Sequence, residues 1–256
     1  MENKTPGNKM SKKIDLKNIY LQEFDKLKAK LNGSRSTDLF QKKQKALDQF
    51  NELGFPTRKH EQWRFTNIAF LNRNEFLPVS DADYSGLKAE DFEKYFLKGK
   101  EKYRLVFVNG FFSKELSKVH HDKGSIITGS METLLSQNFE PAVENFGTIA
   151  DTDNEAFAAL NTSLALDGAF INIPAGIAEE EPVQVLFISD GREKQPLVQP
   201  RNLIIAGENS IAKIVFRYLT VGENEAFVNM VTEGIVDKNA NLELYSIHDD
   251  ERSYYI

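Results

Sequence analysis

The sequence predicts a mainly β protein with an N-terminal α-helical segment, the β part being a solenoid of stacked coils. Three observations carry that expectation. Helical spacing of apolar residues dominates the first 54 residues, short β-type runs replace it after Ala169, and the turns between those runs are evenly placed.

The elements follow in order. Leu16, Tyr20, Phe24, Leu27 and Leu31 fall on one face of a helix that Asn32-Gly33 should stop. A second helix is expected from a Ser36 or Thr37 cap, with Phe40, Leu47, Phe50 and Leu53 inward and Gly54 ending it before Pro56. Its lysines Lys42, Lys43 and Lys45 are assigned to the solvated face. Residues 1–67 thus form a helical segment, and residues 68–167 read as a mixed α/β connecting region. In that region the stretch from Arg104 to Val108 is a buried strand turning at Asn109-Gly110, and the stretch from Ser125 to Gly129 is a second strand. Asn154 to Leu166 is helical, capped by Asp153 or Asn154, with Phe157, Leu160 and Leu164 on one face.

Residues 168–256 read as the first coils of the solenoid. The runs FINIP, VQVLFIS, RNLIIA, AKIVFRYL, NMVTEGIV and LELYSIH are separated by turns at Gly176, Gly207 and Asn239, which stand 31 and 32 residues apart. A β-sandwich also uses short strands and tight turns, but even spacing favours one coil per period. A stack of coils needs an end cap, whereas Ser253 to Ile256 reads as the start of another strand. The expectation is therefore an N-terminal portion of a longer protein.

Composition narrows the function. The 256 residues are 41 % hydrophobic and 27 % charged, enough for a sizeable core in one large domain or two small ones. The formal charge of −6 offers no global attraction to nucleic acid, although residues 1–50 carry 12 Lys+Arg against 6 Asp+Glu. With no cysteine, this chain supplies no disulfide, thiolate ligand or cysteine nucleophile. The polar, lysine-rich N-terminus has no apolar stretch behind it, and no run approaches the ~20 apolar residues of a membrane span. A cytoplasmic protein is expected.

Catalytic signatures are missing: no phosphate loop, dinucleotide turn, nucleophile elbow or zinc-protease pair occurs. His120 and His121 would point to opposite faces of an extended segment, and the remaining histidines, His60 and His248, add no ligand at metal-site spacing. The carboxylate runs Glu179-Glu180-Glu181 and Asp249-Asp250-Glu251 suggest a solenoid lyase or hydrolase on acidic polysaccharide, but consecutive acids splay apart in solvated turns. No catalytic residue and no metal ligand is assigned, and cofactor-binding residues stay undefined.

The run GFPTRKHEQWRFTN, Gly54 to Asn67, holds the one tryptophan, Trp63, among cations. Arg58, Lys59 and Arg64 with Trp63 and Phe65 have the makings of a single-stranded nucleic-acid clamp. The simpler expectation is structural: Trp63 and Phe65 dock the segment on the core, and Arg58 or Arg64 pairs with Glu61 or a carbonyl at its rim.

This run also resembles the N-terminal signature of the SufD family of the SUF iron-sulfur cluster assembly machinery. Two further blocks agree in order and place: Asn154 to Thr162 leading into Asp167-Gly168 and on to Gly176, then Arg201 to Ser210. The resemblance implies a helical segment followed by a right-handed parallel β-helix. It implies a non-catalytic subunit that pairs with a SufB-like sister and a SufC-like ATPase and supports iron acquisition and cluster building. Iron or an iron-sulfur cluster would then belong to the assembled complex rather than to this chain. The absence of cysteine suits SufD better than SufB, which depends on one. The family's functional histidine and its ATPase-docking helices match no position here. Isolated, such a chain would be expected to form a homodimer through its open strand edge.

Overall fold

The computed structural model describes residues 15–31, 37–80, 84–119, 124–249 and 252–256. The expected stop at Asn32-Gly33, the Ser36 cap, His120, His121, Asp250 and Glu251 lie outside them. Two helices open the described chain, α1 (Leu16–Leu31) and α2 (Thr37–Leu53), followed by a two-residue strand β1 (Leu77–Pro78) and a single helical turn α3 (Ala89–Phe92). Then come β2 (Tyr103–Val108), β3 (Phe111–Phe112), β4 (Lys118–Val119) and β5 (Ile127–Ser130). Three short helices follow, α4 (Met131–Ser136), α5 (Glu140–Asn145) and α6 (Ala156–Leu164).

The rest is β: β6 (Ala169–Ile173), β7 (Val183–Gly191), β8 (Pro196–Val198), β9 (Arg201–Ala206), β10 (Ile211–Gly222), β11 (Ala226–Val228), β12 (Val231–Val236), β13 (Asn241–His248) and β14 (Ser253–Tyr255). They build three sheets, ordered β1-β8-β11-β14, β13-β10-β7-β2-β3 with β4 also on β2, and β12-β9-β6-β5. Parallel partners in the later strands stand 30 residues apart, as Leu197 opposite Phe227, Asn202 opposite Thr232, and Ile211 opposite Asn241. The predicted turns meet in the same way: the Gly176 N–H donates to the Glu208 carbonyl at 2.8 Å and the Asn209 N–H to the Lys238 carbonyl at 3.0 Å.

This topology corrects the expected right-handed parallel β-helix. Three separate sheets mix parallel with antiparallel pairing, since β3 and β4 run antiparallel to β2 and β5 antiparallel to β6. Helices α4, α5 and α6 stand between strands of the chain. Turn spacing reported only the offset between parallel neighbours after Ala169; it carried no information on the strands before it.

Burial follows the predicted helix faces in part. Leu16, Tyr20, Phe24, Leu47 and Phe50 are core, whereas Leu53 is exposed at the end of α2, where Gly54 takes the left-handed conformation and donates to the Phe50 carbonyl at 2.8 Å. Lys43 is the clear departure: it is buried, not on a solvated face, because α2 packs along α6. Its ammonium donates to the carbonyls of Thr162 and Ala165, satisfying carbonyls that the end of α6 leaves open. Helix α6 itself is buried almost all round, so its apolar face was no guide to its neighbours. No helix of the described residues is long and apolar enough to cross a membrane.

Candidate functional site

The segment after α2 divides its residues between three tasks. Thr57, His60 and Asn67 shape it: the Thr57 N–H donates to His60 Nδ1 at 2.9 Å, the His60 N–H returns to the Thr57 carbonyl at 2.9 Å, and Asn67 Oδ1 accepts from the Ala69 N–H at 3.0 Å. Phe55 and Trp63 anchor it. Both pack on Phe157 of α6, with ring centroids 5.8 Å and 5.0 Å away. Arg58, Lys59, Arg64 and Phe65 face solvent, Phe65 being 93 % exposed. The expected docking therefore holds for Trp63 and fails for Phe65. The expected pairing of Arg58 or Arg64 with Glu61 or a carbonyl is not formed among the described residues; the Arg64 guanidinium instead lies over the Phe65 ring at 5.5 Å.

The other two blocks that carried the resemblance converge in the core. Asn161 and Thr162 of α6, Asp167-Gly168 before β6, and Arg201-Asn202 of β9 form one buried polar network. Arg201 donates through Nη1 to Thr162 Oγ1 at 2.8 Å, and Asn161 Nδ2 donates to the carbonyls of Pro200 and Asn229 at 3.1 Å and 2.9 Å. Asn202 Oδ1 accepts the Ala169 N–H at 2.8 Å. Gly168 is required at its place, because a Cβ there would lie 2.1 Å from the Arg201 carbonyl oxygen. Sequence reasoning missed this network, as it missed the partner that completes it. Glu233 of β12 meets Arg201 Nη2 at 3.0 Å and accepts the backbone N–H groups of Gly147, Ile149 and Ala150 at 2.8, 2.8 and 3.0 Å. Burial raises the Glu233 pKa, but the Arg201 charge and those three N–H donors outweigh it and hold the carboxyl below the usual range.

Asp167 joins this network to the surface. Its Oδ1 accepts from the Gly168 N–H, the Ser130 hydroxyl and the Glu132 N–H at 2.8 to 3.0 Å, and its Oδ2 from the Phe112 N–H at 3.0 Å. One carboxyl thus pins β3, the start of α4 and the entry to β6. Burial nevertheless dominates, pushing the group up to about 6. A cleft of about 720 Å³ opens beside it, walled by Leu27, Val79, Tyr84, Phe112 and Leu166.

The remaining sequence candidates stay apart. Glu179 is engaged by Lys102 at 2.9 Å and the Tyr103 hydroxyl at 3.0 Å, while Glu180 is exposed, so the run does not converge. Asp249 pairs with Arg217 at 2.9 Å. His248 stacks on Tyr218, which stacks on Phe187, which stacks on Phe107, a row of rings crossing the sheet in register. Among the described residues no three His, Asp or Glu side chains gather in a group that could hold a metal ion.

Comparison with known proteins finds two family models lying end to end on the chain. "SufBD protein N-terminal region" matches residues 14–185, and "SUF system FeS cluster assembly, SufBD core domain" matches residues 187–256. An iron-sulfur cluster assembly SufBD family protein of Synechocystis is 29 % identical over 85 % of the chain and 49 % of the relative. The iron-sulfur cluster assembly proteins SufD of Bacillus subtilis and Escherichia coli are each 25 % identical, over 77 % and 78 % of the chain and 45 % and 44 % of the relatives. The chain spans about half the length of the curated relatives it matches.

Proposed function

The chain belongs to the SufBD family, and we propose that it contributes a SufD-like, non-catalytic subunit to SUF iron-sulfur cluster assembly. The observation that carries this reading is the pair of family models covering residues 14–185 and 187–256 in order. The geometry is consistent with a framework role. Thr162, Arg201 and Asn202, from the second and third blocks that carried the resemblance, hold α6, β6, β9 and β12 together. In this reading its partners are a SufB-like sister subunit and a SufC-like ATPase in the cytoplasm. Iron or a cluster is cargo of the assembled complex.

Purification of the protein from its source under anaerobic conditions, with mass spectrometry of what accompanies it, tests the proposal. An ATPase and a cysteine-bearing sister subunit in stoichiometric amounts are expected. Their absence from a preparation that is otherwise intact would contradict it.

A further inference from the structure

The exposed side chains of the segment from Phe55 to Asn67 present three cations and one aromatic ring to solvent. Phe65 is 93 % exposed although it is two residues from the anchored ring of Trp63, and the cations Arg58, Lys59 and Arg64 all face solvent. None of those three cations reaches a carboxylate among the described residues. Arg58, together with Lys17, lines a groove of about 620 Å³ whose apolar lining includes Phe55, Pro56, Ile68 and Leu71, and the chain leaves that groove through Thr66 and Asn67, next to Phe65 in sequence. The groove's one carboxylate, Asp15, is engaged by Asn18, whose Nδ2 donates to it at 2.6 Å and whose N–H donates at 3.2 Å. Apolar lining, three cations against the carboxylates of Glu61 and Asp15, and a fully presented aromatic ring are what a protein interface needs at its centre and rim.

We propose that this face docks a short acidic segment of a protein partner. An apolar side chain of that segment fills the groove, its carboxylates meet Arg58, Lys59 and Arg64, and Phe65 closes over it. Charge complementarity sets the sign of the partner, since guanidinium groups recognise carboxylates in bidentate fashion. A nucleic-acid strand fits less well. Stacking along a strand needs successive free rings, and here Trp63 turns inward onto Phe157, leaving Phe65 alone. This inference stands on the surface alone and goes beyond the assembly reading.

The test is fluorescence anisotropy on the full chain with three sets of labelled probes. The first is acidic ten-residue peptides carrying one leucine or phenylalanine, the second the same peptides with lysine in place of each acid, and the third ten-nucleotide oligoribonucleotides. Acidic peptides are expected to bind, to weaken about tenfold or more in Phe65→Ala and in the double variant Arg58→Glu, Arg64→Glu, and to weaken as salt rises. Melting curves of these variants should match the parent, since none of the replaced side chains is buried. Absence of acidic-peptide binding, equal binding of the lysine set, tighter binding of the oligoribonucleotides, or binding indifferent to the substitutions would each overturn the proposal.

Discussion

The Arg201 guanidinium meets the Glu233 carboxylate at 3.0 Å with both side chains 1 % exposed, so β9 and β12 are joined inside the core by a full ion pair. Charges taken this far from water need their remaining donors and acceptors matched. Thr162 and Asn161 take the Nη1 end of the guanidinium and the N–H groups of Gly147, Ile149 and Ala150 take the carboxylate, while Nη2 has the charge contact with Glu233 but no hydrogen bond.

Breaking that pair from one side leaves a buried charge without its partner. Glu233→Gln and Arg201→Met are each expected to cost about 3–5 kcal/mol, and the double variant with both residues replaced by Met less than the sum of the two. Denaturant unfolding of the three variants checks it. The same carboxyl sets an acid limit: its folded pKa lies below the ordinary 4.5, so its stabilisation is complete above that value and is lost as pH falls through the folded one.

Asp167 acts in the opposite direction. Its folded pKa is raised from 3.8 to about 6, so its contribution to stability is fully present below the ordinary value and is lost as pH rises through about 6. Carboxyl-carbon NMR should show this residue titrating near 6. A midpoint below 4 would mean that the four hydrogen bonds outweigh burial.

Trp63 and Phe65 should separate cleanly. Trp63→Ala removes a half-buried ring from Phe157 and is expected to cost about 2–3 kcal/mol, below the range for a fully buried tryptophan. Phe65→Ala is expected to change stability by less than about 0.5 kcal/mol. Thermal melts of the two variants side by side measure the difference.

Tyr20 is wholly buried in α1, and its hydroxyl has no hydrogen-bond partner among the described residues. Burial pushes its phenol far above the usual range. Tyr20→Phe deletes an unsatisfied polar atom and keeps the ring packed on Phe55, so it should stabilise the fold by about 1 kcal/mol. A rise in melting temperature is the expected result.

These residues also show what the sequence could and could not say. The inward faces of α1 and α2, the buried strand β2 and the turns at Gly176, Gly207 and Asn239 were legible because each is a local pattern of burial or of backbone conformation. Lys43 was placed on the wrong face because only tertiary packing supplies the carbonyls of α6 that make a buried ammonium tolerable. The Arg201–Glu233 pair joins residues 32 positions apart, and no periodicity marks it. The expected β-helix failed for a related reason: even spacing fixes the offset of parallel neighbours, and although the Asn109-Gly110 turn encodes the β2–β3 hairpin locally, the antiparallel pairings of β4 with β2 and of β5 with β6 depend on contacts that local patterns do not encode. The blocks resembling the SufD family were found by residue type alone, and their structural role became visible only once Asn161, Asp167 and Arg201 stood in one network.

The most direct test of an iron-sulfur assembly role is to delete the gene in its source organism and assay a cluster-dependent dehydratase beside a zinc enzyme under iron limitation. Dehydratase activity is expected to fall, zinc-enzyme activity to hold, and the loss to be reversed by restoring the protein. Equal activity of the dehydratase in deleted and parent cells, with no other SufBD family protein present to substitute, would contradict it.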